Sequence, residues 1–206
     1  MNNNPTRIFF IRHGITEQTG KILYGQSLGI DLSDEGIRQA KYTSEYLKSI
    51  EIDRIYSSPL ERAIQTAEQI ALNQNCEIEI QQKLIDTDIG LFTNLSLKQA
   101  AKKPEWKDVI SRPSQFKFED GESFQDVFVR MNKLVSEIVE KHKGESIAIT
   151  AHRDPIIIMM AHYLGLHMDL FQRIPCAPAS VSIVNFSGSH LEVKGIGILP
   201  PVRMEE

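Results

Sequence analysis

The chain has 206 residues, enough to bury roughly 70% of the surface its unfolded form would expose, so it needs no covalent staple to fold. Hydrophobic residues at 41% and charged residues at 24% exclude a disordered chain or a fibrous repeat. The 23 Lys and Arg against 27 Asp and Glu leave a net charge of -4, so nothing draws the chain generally to a polyanion, and nucleic acid is not an expected partner.

No apolar run approaches the length of a bilayer span, and Met1-Asn2-Asn3-Asn4 has neither the basic start nor the apolar stretch of a secretory signal. The expected location is cytoplasmic, with no membrane partner. Cys76 and Cys176 lie far apart and form no C-x-x-C pattern, so both read as reduced packing residues rather than as a disulfide or a zinc site.

Arg7 to Ile11 is a short apolar run that ends in Arg12-His13-Gly14, the pattern of a buried strand stopping at a turn. Ser33 is a good helix N-cap, with Asp34 and Glu35 suited to the helix dipole and Leu32 and Ile37 at hydrophobic-staple spacing. The face Ile37, Ala40, Ser44, Leu47 continues that helix. A second strand, Arg54 to Ser57, runs into Ser58-Pro59-Leu60-Glu61, where the spacing predicts a capping box between Ser58 and Glu61 with Pro59 as first helical residue. The face Ala63, Ile64, Ala67, Ile70, Ala71 then packs on a sheet, and Glu77 to Gln81 alternates as an edge strand would.

From Leu84 to about Gly121 the periodicity loosens, and this stretch reads as an insertion over one end of the sheet. Ser123 caps a long helix with the face Phe124, Val127, Phe128, Met131, Leu134, Val135, Ile138. Ser146 to Ala151 is a buried strand ending at His152-Arg153, followed by Asp154 and Pro155 as N-cap and first residue of a further helix. Val181 to Phe186 and His190 to Ile198 form a closing hairpin across Ser187-Gly188-Ser189. The alternation predicts an α/β three-layer sandwich, a mostly parallel central sheet with helices on both faces, in one domain spanning 1–206.

In such a sheet ligands sit at the carboxyl ends of the strands, and three inferred ends carry Arg12-His13-Gly14, Ser57-Ser58-Pro59 before Arg62, and Ala151-His152-Arg153. Gly14 permits a tight turn that can present backbone N–H groups to an anion, and Thr16 adds a hydroxyl. Arg62 in the first turn of a helix opposes the helix dipole, so an anion is expected beside it, either a surface carboxylate such as Glu61 or a bound phosphate. The histidines at 142, 162, 167 and 190 are assigned to polar helix surface, helix faces or the hairpin. None has metal-ligand spacing, and neither metal nor cofactor is assigned.

Phe10-Ile11-Arg12-His13-Gly14-Ile15-Thr16, Leu32-Ser33-Asp34-Glu35-Gly36 with Gln39-Ala40, Ser57-Ser58-Pro59-Leu60-Glu61-Arg62-Ala63 with Gln65-Thr66-Ala67, Gly121-Glu122-Ser123, and Ala151-His152 follow one another along almost the whole chain. In this order they resemble the histidine phosphatase, or phosphoglycerate mutase-like, superfamily. The resemblance implies that His13 accepts a phosphoryl group, that Arg12 and Arg62 clamp it, with Thr16 and Gly14 in the phosphate site, and that His152 is the second histidine of the pocket. The family's acid lies in a Leu-x-Glu-x-x-x-Gly stretch, which here reads Leu84-Ile85-Asp86-Thr87-Asp88-Ile89-Gly90, so Asp86 stands where a glutamate is usual. Thr19, Phe92-Thr93-Asn94 and Arg153 also depart from the family pattern, at positions that border the leaving group.

The implied function is hydrolysis of a small phosphorylated metabolite through a phosphohistidine. A mutase of the same fold and a non-catalytic phosphate-binding module are the alternatives. The pattern alone leaves open whether Asp86 or Asp88 is the acid, whether Arg153, Lys98, Lys102, Lys103 or Arg112 meets a second anionic group, and what the oligomeric state is.

Overall fold

The computed structural model describes residues 4–201. Residues 1–3 and 202–206, included in the single-domain expectation and, in part, in the reading of Met1 to Asn4, lie outside the described residues. Six strands form one sheet in the order β3-β2-β4-β1-β5-β6. They are β1 (Thr6–Arg12), β2 (Arg54–Ser57), β3 (Ile78–Ile80), β4 (Ser146–Ala151), β5 (Val181–Ser187) and β6 (His190–Ile198). β1, β2, β3 and β4 run parallel, while β5 pairs antiparallel with both β1 and β6. The expected α/β sandwich around a mostly parallel sheet is the observed one, with β5 and β6 making the sheet mixed.

Successive residues of a strand face opposite sides of a sheet, and this period of two divides the core. Ile8, Phe10, Ile147 and Ile149 pack with α5 (Phe124–Lys141) and α6 (Arg153–Tyr163). Phe9, Ile11, Ile55 and Ala148 pack on the other side with Leu47 of α1 (Asp34–Leu47) and Ala67 and Ile70 of α2 (Glu61–Ala71). Each buried aliphatic or aromatic side chain contributes roughly 1.5–3 kcal/mol of transfer free energy, so both faces of the central strands are held. Residues 84–121 carry only short pieces, among them α3 (Leu97–Ala100) and α4 (Trp106–Ser111), and Phe92 stacks on Trp106 and meets Phe118 edge-on.

Ser33 caps α1 as expected, accepting from Gly36 N–H, and Ser123 forms a full capping box with Asp126. Two other caps differ. Helix α2 begins at Glu61 with Leu60 as its N-cap and no side-chain cap. Ser58 is drawn into the strand-end cluster described below, and Glu61 instead accepts from Gly29 N–H at 3.1 Å. Likewise α6 starts at Arg153 with His152 as N-cap, which places Asp154 and Pro155 inside the first turn. Pro155 at the third helical position lacks an N–H that the helix would not have used, so its preference for the first turn is still met, two positions later than expected. His142 is also not a surface residue: it is buried at the end of α5, hydrogen-bonded to Tyr56 Oη at 2.8 Å and to Glu145 at 3.0 Å.

Candidate active site

Parallel register sets β1, β2 and β4 level at their carboxyl ends, with Arg12 beside Ala151 and Ser57 beside Thr150. The ladder continues one step beyond the strands: His13 N–H donates to Ala151 at 3.0 Å and Ser58 N–H to Thr150 at 3.0 Å. His13, Ser58 and His152 are thereby brought to one point by backbone geometry alone. The turn after His13 is set by close approach. A Cβ on Gly14 would stand 2.5 Å from the Gly36 carbonyl oxygen, so α1 can seat against this turn only with glycine there.

His13 is 2% exposed, and its Nδ1 lies 2.7 Å from the Gly14 carbonyl oxygen. A carbonyl only accepts, so Nδ1 carries the proton and Nε2 keeps a free lone pair. Burial, then the Arg12 and Arg62 charges, hold its pKa well below the usual histidine value, so the ring is neutral at neutral pH. His152 is fully buried, 5.2 Å from the His13 ring between centroids, with Nε2 at 2.7 Å from Ser58 Oγ. Ser58 Oγ also accepts from Leu60 N–H at 3.3 Å; with the Ser58 proton given to His152 Nε2, the ring's own proton sits on Nδ1, which faces Asp86 Oδ2 at 3.6 Å. Burial and the neighbouring cations, Arg62 first, lower the His152 pKa as well.

Arg62 is fully buried, which removes the surface pair with Glu61 as its explanation. Its Nη2 donates to the Gly25 carbonyl at 2.6 Å and its Nη1 to the Ser27 carbonyl at 3.3 Å, and the guanidinium lies 4.6 Å from the centre of the Tyr24 ring. Arg12 is tied by Nη1 to the Cys176 carbonyl at 2.7 Å. Arg12 Nε, Arg62 Nε and His152 Nδ1 are all buried without a hydrogen-bond partner. These donors belong to two residues beside Asp86 and one that lines the cavity; left unpartnered they cost stability unless an anion meets them, and two guanidiniums with an imidazole suit a phosphate.

Gly14 and Thr16 stand at the site in a different manner from that expected. Gly14 N–H donates to Thr66 Oγ1 at 3.1 Å, so it is already engaged, and the contribution of Gly14 is the close packing on Gly36. Thr16 bonds to Thr19 Oγ1 through both its N–H and its hydroxyl, at 2.9 and 3.0 Å, and Thr19 in turn lies 3.3 Å from Tyr24 Oη. Thr19 and Tyr24, rather than Thr16, line the cavity of about 160 Å³ that opens over Arg12 and His13.

The two aspartates separate. Residues 85–89 form neither strand nor helix, and of the two aspartates only Asp86 lines the cavity. Asp86 lines the cavity, with Oδ2 3.5 Å from Arg62 Nη2 and 3.6 Å from His152 Nδ1, and Oδ1 accepts from Thr87 N–H at 2.9 Å. Burial raises its pKa to about 6 against the opposing pull of Arg62, with Asp154 adding to the rise. Asp88 accepts from Gly90 N–H at 3.0 Å and gives its own N–H to Glu122 at 3.0 Å, away from the cavity. Arg130 holds the loop from behind, donating to the Lys83 and Asp86 carbonyls at 2.7 and 2.9 Å and pairing with Glu122 at 2.8 Å.

Of the basic residues considered for a second anionic group, Arg153 lines the cavity, whereas Lys98, Lys102, Lys103 and Arg112 do not. Arg112 pairs with Asp108 at 2.6 Å, and Lys103 lies 5.4 Å from the Phe92 ring centre. Sequence reasoning missed Tyr24, Arg130 and Asp154. Glu122 was visible only as a motif residue, and no periodicity signals a side chain whose partner is a loop carbonyl.

The chain is similar to known proteins over most of its length. Residues 8–198 match the profile described as Histidine phosphatase superfamily (branch 1). Phosphoserine phosphatase 1 of Hydrogenobacter thermophilus is 29% identical over 181 residues, covering 87% of this chain and 86% of the relative. A probable phosphoglycerate mutase of Salmonella arizonae is 26% identical over 192 residues, 92% of this chain and 89% of its own length. Among solved structures, a mycobacterial glucosyl-3-phosphoglycerate phosphatase superposes with a TM-score of 0.84 at 24% identity, over 94% of this chain and 99% of that one.

Proposed function

The chain belongs to the histidine phosphatase superfamily (branch 1), and from that premise we propose that it is a metal-independent phosphomonoesterase acting on a small phosphorylated metabolite through a phosphohistidine. The observation that carries this reading is the set of unpartnered buried donors, Arg12 Nε, Arg62 Nε and His152 Nδ1, beside a neutral His13 whose Nε2 is free. His13 Nε2 attacks phosphorus as the ester P–O bond breaks, and the three donors stabilise charge on the transferring phosphoryl oxygens. Asp86, protonated, gives its proton to the leaving oxygen. Water then attacks the phosphohistidine, Asp86 takes the water proton, and the P–N bond breaks to return neutral His13 and free phosphate.

The test is phosphate release from a panel of phosphorylated metabolites by chelator-treated protein. Release of phosphate to water supports the reading. Return of the phosphoryl group to an isomer of the substrate would make the chain a mutase, and no turnover of any ester would make it a binding module. A cytoplasmic location belongs to the same reading, supported by Cys76 and Cys176 being free. Among the described residues no helix is long and apolar enough to cross a membrane.

Two predictions arise here. With Asp86 titrating at about 6, kcat/KM for an ester with a poor leaving group is expected to fall tenfold per pH unit above that value, as the proton it donates is lost. His13, its pKa held well below the usual histidine value, stays neutral and nucleophilic on the acid side, so activity extends below pH 6. A pH profile that rises from pH 6 to 8 would contradict the assignment. The Arg62→Ala variant is expected to lose at least about a hundredfold in kcat/KM. Because Arg62 is fully buried and bonded to two loop carbonyls, a lower Tm should accompany the loss, and Arg62→Lys should recover Tm more than activity. Near-normal turnover in folded Arg62→Ala would remove Arg62 from the phosphate site.

A further inference from the structure

Two charged residues of the cavity wall neither attack nor carry a proton in the reaction above: Arg153 and Asp154, the first two residues of α6, directly after His152. Arg153 Nη1 donates to Asp154 Oδ1 at 2.8 Å, and their side chains remain 39% and 32% exposed. A cation at the first position of a helix opposes the helix dipole, so stability of α6 does not account for Arg153. Asp154 stands near enough to Asp86 to press its carboxyl toward the protonated form. The pair lines the same cavity as Asp86, the acid beside which the ester oxygen departs, and Arg12. Elsewhere the wall beyond the phosphate is largely apolar, with Ile22, Leu23, Ile89 and Leu97.

A purely anionic head group would gain at Arg153 and lose at Asp154, and a purely cationic one the reverse. A head group that carries both charges gains at both. We propose that Arg153 and Asp154 form a subsite for a zwitterionic head, carboxylate on Arg153 and ammonium on Asp154, so that the preferred substrate is the phosphate ester of a hydroxy-amino acid. The smallest such ester bears both charges on the carbon next to the CH2–O unit. This suits a pair borne by the two residues that follow His152 and a cavity of only about 160 Å³. The proposal rests on the phosphomonoesterase reading.

The experiment compares four esters by phosphate release: O-phosphoserine with both charges, 3-phosphoglycerate with the carboxylate, O-phosphoethanolamine with the ammonium, and ethyl phosphate with neither. The wild-type protein should favour O-phosphoserine by kcat/KM. Arg153→Met should lower O-phosphoserine and 3-phosphoglycerate about ten- to a hundredfold more than O-phosphoethanolamine, the scale of one hydrogen bond to a charged group. Asp154→Asn also lowers the Asp86 pKa for every ester, so its effect is read against ethyl phosphate: O-phosphoserine and O-phosphoethanolamine should fall relative to it, and 3-phosphoglycerate should rise relative to it by removal of a repulsion.

Equal changes across all four esters would show a merely structural role, and a wild-type preference for 3-phosphoglycerate over O-phosphoserine would also overturn the proposal. If none of the four is hydrolysed, the wider panel decides the phosphatase reading separately. Calorimetric binding then decides the subsite: tighter binding of O-phosphoserine than of ethyl phosphate, lost in Arg153→Met, sustains it, and equal binding sinks it.

Discussion

Replacing His13 with alanine is expected to reduce turnover of any phosphomonoester by roughly 10⁴-fold or more, the scale seen when an attacking group is removed from a site whose other members remain. The expectation follows from geometry. The Gly14 carbonyl at 2.7 Å fixes the proton on Nδ1 and leaves Nε2 as the free nitrogen, in a ring kept neutral by burial and by two guanidiniums. The same variant should abolish a trapped phosphoenzyme that is acid-labile and alkali-stable in the wild-type protein, as a P–N linkage is. An unchanged phosphoenzyme in His13→Ala would assign the phosphoryl group to another residue. His152 is an unsuitable substitute, because its Nε2 is taken by Ser58 and its Nδ1 is the protonated nitrogen.

The second large effect is expected at Asp86, and it depends on the substrate. Asp86→Ala should lose about 10²- to 10⁴-fold on an ester with a poor leaving group, which needs a proton, and far less on a nitrophenyl ester, which does not. Asp88→Ala should be mild on both, since Asp88 is occupied with Gly90 N–H outside the cavity. The reverse pattern would transfer the role to Asp88.

Stability supplies a further sign. The folded-state pKa of Asp86 is raised to about 6 from 3.8, so the charged form is disfavoured in the folded protein. That favours folding below the unfolded pKa, relative to higher pH, and the benefit is lost as pH rises through 6. At pH 8 the ionised carboxylate then costs on the order of 3 kcal/mol, and Asp86→Asn should raise Tm at pH 8 while lowering activity. A lower Tm in Asp86→Asn at pH 8 would show that the carboxylate is there for stability.

Much of the fold was legible because its signals are local. The apolar run Arg7 to Ile11, the buried strand Ser146 to Ala151, the serine caps at 33 and 123 and the glycine turn of the hairpin each depend on a few neighbouring residues, and all appear in the structure. Where a local signal competed with a tertiary one, the tertiary one prevailed. Ser58 and Glu61 have capping-box spacing, yet Ser58 bonds to His152, ninety-four residues away, and Glu61 to Gly29. Asp154 has the chemistry of an N-cap, yet His152 takes that position because β4 ends one residue earlier.

By itself the sequence determined which residues stand at the ends of parallel strands, and hence that Arg12, His13 and His152 meet, since a parallel register brings strand ends together wherever the strands are buried. Only the tertiary structure decided between Asp86 and Asp88, because residues 85–89 follow no regular period. Their course is set by Arg130 and Glu122 of distant segments and by Gln26, whose side chain donates to the Asp86 carbonyl at 2.9 Å. It likewise decided that Arg62 is buried and that Arg153 rather than the lysines faces the cavity. A long cationic side chain can reach in several directions from one backbone position, and the choice among them is made by carbonyls and carboxylates that fold in from elsewhere in the chain.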